Sequence, residues 1–460
     1  MAQQVTSDTT IAPVLKNWYT DKKFENLLSR NSPVLRKIPK NRVGGSTYNF
    51  AALYGYGGAA SADWTVAIAN AASGQAKNIN FSVPPGYMFS VFNISVIEKF
   101  ASRDEKGAYV KLIVDKMFAA SEALRKQFAA ALYGSGYGEF GQVPAGTYGT
   151  ADTTIVLTDD AIMKIDVGTS FNCTTDQMPS GNLNTDGPFT VTKIDGNTVT
   201  FTRTVSAVAM AAGQWLMYRG GSSGASSPNY PTGLAGWIPS WYNRTGASWT
   251  TYIGTPFYGV TRSTSVGRLA GWFYQRNSGA SELYSSAISK GVRLVRRAGG
   301  IPKLVVLNDN DYMTIQNELQ SFRNYWQSVD IKDPVGGPAF TYGIEALKYA
   351  FSSTYIEEVY DDPYCPQGKA YILDYDSIEF AALSNPNKPV NDGIVDNNPG
   401  SPEVTGESDP TENPFQLNIE DFLNIQPATA TASGPAAQVT LMVFGNFAFH
   451  NPAHQCVVVF

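Results

Sequence analysis

The sequence predicts an α+β protein organised around one exceptionally long helix. Two observations carry that prediction. Residues 102–133, SRDEKGAYVKLIVDKMFAASEALRKQFAAALY, hold a helical period throughout, whereas the stretches on either side turn to strand-like alternation or to runs rich in Tyr, Phe, Val and Thr. The composition agrees: 12% aromatic residues, only 16% charged ones and 42 glycines in 460 residues suit a β-rich chain with large packed surfaces.

The helix has its own start, face and stop. Ser102 and Glu105 form a capping box, each side chain answering a backbone donor left open at the helix start. Asp104 and Glu105 also sit where the macrodipole favours negative charge. Tyr109, Leu112, Ile113, Met117, Ala120, Leu124, Phe128, Ala131 and Leu132 share one face. Glu122 and Lys126 make a correctly oriented i,i+4 pair on the other side. Gly134, Ser135 and Gly136 end the helix. The rod from 103 to 133 would run roughly 46 Å at 1.5 Å per residue.

Before the helix, residues 1–43 read as an arm. Trp18, Tyr19, Phe24, Leu27 and Leu28 allow a short helix, and 34–39 read as extended, but nothing there builds a core. Residues 44–97 read as an extended hairpin. Ile79, Phe81 and Val83 alternate on one face, 87–96 continue extended, and the intervening 55–75 are small and flexible apart from Trp64, Val66 and Ile68. A hairpin without its own core packs either on its own domain or, as an arm, on a neighbouring subunit with Trp64 as anchor.

After the helix, 134–151 read as a glycine-rich hinge. Residues 145–220 are expected to form an inserted small β domain, with Asp195-Gly196-Asn197 as a hairpin turn and 161–165 beginning a strand. Residues 221–260 read as linker and connecting stretch, extended and aromatic to Thr261. A second helix is expected over 280–297, with Leu283, Ala287, Ile288, Gly291, Leu294 and Val295 inward. Residues 301–307 read as a buried strand and Asn308 as the cap of the next helix. Strands return over 340–383. The segment 384–414 carries six prolines and the acids Asp392, Asp396, Glu403, Glu407, Asp409 and Glu412, so it is expected as an exposed loop.

Composition bounds the function. Net charge is −5 and no basic block appears, which argues against sequence-independent nucleic-acid binding. Cys173, Cys365 and Cys456 lie far apart, which fits a reducing compartment rather than a disulfide framework. No signal peptide and no membrane span is legible, so the sequons at Asn93, Asn172 and Asn243 read as chance.

No chemistry-bearing motif stands up. Gly134 to Gly141 is glycine-dense but follows a helix, whereas a phosphate loop leaves a strand and opens one. His450, His454 and Cys456 are three candidate metal ligands in seven residues, but Pro452 forbids the helical spacing a zinc site would use. With no other histidine, no Ser-His-Asp triad exists elsewhere. The acid pairs Asp159-Asp160, Glu357-Glu358 and Asp361-Asp362 have no legible cleft around them. The expectation is therefore no enzyme, no cofactor and no metal. Lys290, Arg293, Arg296 and Arg297 cluster on the second helix, and the three arginines join Trp64, Val66 and Ile68 as candidate subunit contacts.

The order of arm, long hairpin, long helix, inserted β domain, GLAGWIP (233–239), second helix, buried strand and mixed β domain resembles the major capsid protein of tailed bacteriophages, the Hong Kong ninety-seven-like fold. The hairpin is similar to that family's extended loop and the helix to its spine helix. The segments 257–272, 301–319 and 364–380 are also similar to parts of these coat proteins. The resemblance implies a peripheral domain from 98–144 and 261–340, and an axial domain from 341–460. It implies hexamers and pentamers closing an icosahedral shell around double-stranded DNA, the DNA held only non-specifically. It also implies portal and scaffolding partners, a possible decoration protein, no membrane, assembly in the host bacterial cytoplasm and a place in the virion. An acidic balance suits a container whose wall should not trap its genome. Some members crosslink subunits through Lys and Asn; Lys77 lies on the flank of the hairpin, so no crosslink is expected here. An encapsulin-like compartment is the alternative within the fold, and a carbohydrate-binding adhesin the alternative from another class.

Overall fold

The computed structural model describes residues 33–55, 60–70, 77–95, 106–146, 152–175, 188–203, 210–221, 228–277, 281–321, 350–351, 354–356, 358–383, 423–430 and 436–460. The capping box at 102–105, most of the N-terminal arm and the acidic segment 384–414 lie outside them. The fold is mixed α and β, in two compact units. The first gathers Met1–Phe50, Phe81–Gly236 and Ile378–Ala448; the second gathers Ala51–Asn80, Trp237–Ser377 and Phe449–Phe460. The sequence expectation joined 98–144 to 261–340 instead. The long helix packs on Gly86–Ser95 just before it and, through Phe128, on Phe380 and Phe447 far later in the chain, and no local pattern announces the later partners.

In the first unit, the helix Lys106–Tyr133 spans 28 residues, about 42 Å. It packs on a five-stranded sheet made of Lys40–Val43, Ile378–Leu383, Ala436–Phe449, Leu423–Ala430 and Gly86–Ser95. Phe128 meets Phe380 edge-on at 5.1 Å and lies flat against Phe447 at 5.8 Å. The expected Glu122–Lys126 pair is not made. Glu122 pairs with Arg125 one residue nearer, and Lys126 reaches Asp166 at 3.0 Å. The chain enters this sheet through a short helix, Pro33–Lys37, where extended backbone was expected. Proline suits a first helical turn, and Val34, Leu35 and Ile38 are all buried. Lys40–Val43 then runs parallel to Phe380–Leu383.

Burial pushes the Lys40 ammonium down to about 8 from an ordinary 10.5. Its folded value lies below its unfolded one, so the charge destabilises the fold below pH 8, and that penalty fades between pH 8 and 10.5. Lys40→Met is therefore expected to raise the urea midpoint at pH 7. The gain should shrink toward zero near pH 10.5, a crossover that parallel urea melts at the two pH values would read directly.

The same unit carries a six-stranded antiparallel sheet whose strands run, in spatial order, Glu139–Gln142, Trp215–Tyr218, Ser170–Thr174, Phe189–Asp195, Thr198–Arg203 and Thr154–Val156. Its first strand comes from the stretch read as hinge. Phe140 is buried there and packs edge-on to Phe171 at 5.8 Å, which fixes the strand in place. Phe189 and Phe201 complete the ring cluster, and Gly196 takes positive φ in the two-residue turn joining their strands. Asp159–Lys164 is a helix rather than a strand. Two acids fill its first turn, and Asp160 pairs with Lys164 at 3.1 Å across one turn.

In the second unit, five strands run in the order Trp272–Gln275, Cys456–Val459, Lys369–Leu373, Leu304–Leu307 and Glu358–Asp361. Leu304–Leu307 is buried at every position, as its all-apolar sequence requires of a central strand. The helix Tyr284–Arg297 lays Ala287, Ile288, Val292 and Val295 on this sheet. Its N-terminal donors are held from another helix. The Glu318 carboxylate accepts from the Tyr284 and Ser285 amides at 2.9 and 3.2 Å. Asn308 accepts from Asn310 N–H at 3.1 Å and caps Asp309–Ser321 as expected.

The stretch read as extended up to Thr261 is instead partly helical, with a short turn at Trp241–Arg244 and a helix at Gly246–Gly254. Arg244 holds it together, donating to the carbonyls of Pro239, Gly271 and Ala270 at 2.8, 2.8 and 2.9 Å. Arg262, fully buried, lies 4.0 Å over the ring of Phe257 and bonds the Tyr252 hydroxyl.

Candidate functional site: an exposed hairpin tip and a basic helix face

The hairpin strands Tyr48–Gly55 and Lys77–Val83 pair as a two-stranded ribbon. Between them the chain forms a helix, Trp64–Asn70, where a flexible loop was expected. Asp63 explains it: its Oδ1 accepts from the amides of Thr65 and Val66 at 2.7 and 3.3 Å. No residue of this helix is buried. Trp64 is 77% exposed, Ile68 57% and Val66 47%. At 100° per residue, Trp64 and Ile68 share a face while Val66 points to the opposite side. A seven-residue helix with three bulky apolar side chains in water gains nothing from its own fold by carrying them. Arg268 ties the ribbon down by donating to the Tyr54 carbonyl.

The three candidate arginines lie on the exposed side of Tyr284–Arg297. Arg293, Arg296 and Arg297 line an open depression of about 640 Å³ with Lys290, Leu294 and Tyr274. Lys290 is engaged locally, reaching Glu282 and the Tyr274 hydroxyl, each at 2.9 Å. Those bonds, the Glu282 one foremost, raise its pKa. Burial works against ionising Glu282, but Lys290, the Asn277 amide and Tyr274 together hold its carboxyl below the usual range. Arg296 and Arg297 also stand in the last turn, where cations complement the helix dipole.

The remaining histidine, cysteine and acid candidates sit in local packing and hydrogen-bond contacts. His454 Nδ1 stands 3.3 Å from Asp374, and its Nε2 faces the Asn451 amide at 2.8 Å. Cys456 and Cys173 are buried, and burial pushes each thiol up to about 12, far from thiolate character at neutral pH. Among the described residues no three His, Cys, Asp or Glu side chains gather as a metal group. Asp362 is fully buried and accepts from the Tyr364 amide at 3.0 Å, while Asp159 takes the Asn197 amide at 2.5 Å. Gly136 and Gly138, in the glycine-dense loop, take positive φ and pack against Thr232 and Tyr230. Among the described residues, no helix is long and apolar enough to cross a membrane.

One surface escaped the sequence reading. Tyr87, Phe89 and Val91 project from Gly86–Ser95 on the face opposite the long helix, all exposed. The signal was available: YMFSVF puts bulky residues at successive positions, so both faces of that strand are apolar.

Comparison with solved structures gives the fold its place. The capsid asymmetric unit of cyanophage A-1(L) matches 93% of this chain and 92% of its own, at 14% identity and a TM-score of 0.52. The chain has the fold of a phage capsid protein. A capsid of a native gene transfer agent (GTA) particle, at 9% identity and a TM-score of 0.40, and the encapsulin complex of Synechococcus elongatus, at 8% and 0.40, align over 93% of this chain. No protein-family model and no curated protein sequence matches.

Proposed function

We propose that this chain is the major capsid protein of a tailed bacteriophage, a structural subunit that assembles with copies of itself into an icosahedral head around double-stranded DNA. The observation that supports it is the end-to-end likeness to the cyanophage capsid protein, which takes in nearly the whole of both chains. In this reading the unit bearing the long helix is the peripheral domain, the unit built on 237–377 is the axial domain, and the six-stranded sheet is the inserted domain. Trp64, Val66 and Ile68 anchor the hairpin on a neighbouring subunit, and Arg293, Arg296 and Arg297 face another subunit. Portal, scaffolding and decoration proteins are its further partners, and the host cytoplasm is where it assembles. Sedimentation of the full chain, expressed alone and with its neighbouring genes, tests the reading. Particles far heavier than a 460-residue monomer are expected; a monomer in both preparations would refute it.

A further inference from the structure

We propose that the N-terminal segment around residues 11–19 docks on the outer apolar strip of the first unit's sheet, formed by Tyr87, Phe89, Val91 and Phe444. The strip is a built surface. Tyr87 is 44% exposed, Phe89 52% and Val91 47%, while Met88 between them is buried on the other face. The antiparallel register sets Phe444 opposite Tyr87 and Met442 opposite Phe89. The Tyr87 and Phe89 rings lie nearly parallel, 7° apart, and Phe444 stands edge-on to both at 5.7 and 5.8 Å. Three rings locked against one another make a platform whose own side-chain entropy is already spent. The opposite face of this sheet is covered by the long helix through Phe128. A sheet with one face in water alternates apolar and polar side chains; this strand is bulky and apolar on both faces, as expected when both are covered.

Sequence and chain path name the cover. The chain enters this same unit at Pro33–Lys37, with Val34, Leu35 and Ile38 buried and Lys40–Val43 paired into the sheet. The preceding residues therefore leave from the sheet that carries the strip. In them Ile11, Val14, Leu15, Trp18 and Tyr19 fall at i, i+3, i+4, i+7 and i+8, an apolar helical face with no core to join. Reach is ample. The strip lies three strand spacings from Lys40–Val43, roughly 15 Å, whereas the fourteen residues from Tyr19 to Pro33 extend to about 46 Å. The strip carries no charge, so nothing in it selects an acidic or basic partner over this apolar segment.

The test uses the full chain. W18C and F89C are introduced together and mildly oxidised; the native cysteines Cys173, Cys365 and Cys456 are buried and stay silent. A disulfide well above the A2C/F89C background is expected, within one chain or between copies, since either seats this segment on the strip. Background yield, or a W64C/F89C pair that crosslinks in its place, would overturn the proposal. Trypsin cleavage at Lys22 and Lys23 gives a second reading. F89D, which alters an outward side chain, should speed it at least tenfold, and an unchanged rate would count against docking. Neither assay depends on shell formation, so failure here leaves the capsid reading untouched.

Discussion

Replacing Trp64, Val66 and Ile68 together by serine is expected to abolish particle formation while leaving the monomer folded. The reason is the contrast between their exposure and their bulk. All three stand on a helix with no buried residue, so the folded subunit loses little, within about 0.5 kcal/mol as for ordinary surface changes. In a subunit contact the same side chains would contribute roughly 1.5–3 kcal/mol each on full burial, and a tryptophan anchor can exceed about 2 kcal/mol alone. A closed shell repeats that contact at every subunit, so the loss recurs around each ring. Light scattering should report no large species and circular dichroism an unchanged melt. Wild-type particle yield would show that the tip is not the contact.

Gly233→Ala is expected to destabilise the first unit by about 3 kcal/mol or more, although it adds one methyl group. A Cβ at Gly233 would overlap the carbonyl oxygens of Ala131 and Leu132 in the last turn of the long helix. Both are backbone atoms, so no rotamer change relieves the clash. The Gly233 amide also donates to the Gly134 carbonyl at 3.0 Å, holding the two segments at that separation. Gly254→Ala is the control: its Cβ would meet nothing within 4 Å, and its effect should be near zero. Urea melts of the two variants should separate clearly; equal midpoints would mean that the helix end can shift to accept the methyl.

The GLAGWIP stretch singled out in the sequence thus has a physical reading. Gly233 seats the chain on the helix end, Gly236 lies against Thr232 and Ser135, and Trp237, fully buried, stacks on Phe449 at 5.2 Å in the second unit. The long helix, the Lys77–Val83 strand and the buried Leu304–Leu307 strand were legible because their periods are long or uniform. Pro33–Lys37, Trp64–Asn70 and Asp159–Lys164 were not, since five to seven residues are too few to show a period. The helix Gly246–Gly254 was hidden by its composition: WTTYI reads as strand by propensity, and the carbonyl clamp of Arg244 beside it is a tertiary contact. The hairpin tip was found as a set of residues but not as a helix. The outer strip has no alternating signature, because Tyr87, Met88 and Phe89 are bulky at successive positions and mark no single buried face. The partnership of Lys40–Val43 with Phe380–Leu383 crosses more than three hundred residues, beyond any local signal.

The most direct measurement is negative-stain electron microscopy of the full chain, expressed alone and with its neighbouring genes. A capsid function predicts closed shells, or tubes and rings of capsomers with fivefold and sixfold symmetry. A field of uniform monomers in both preparations would contradict it, whatever the fold.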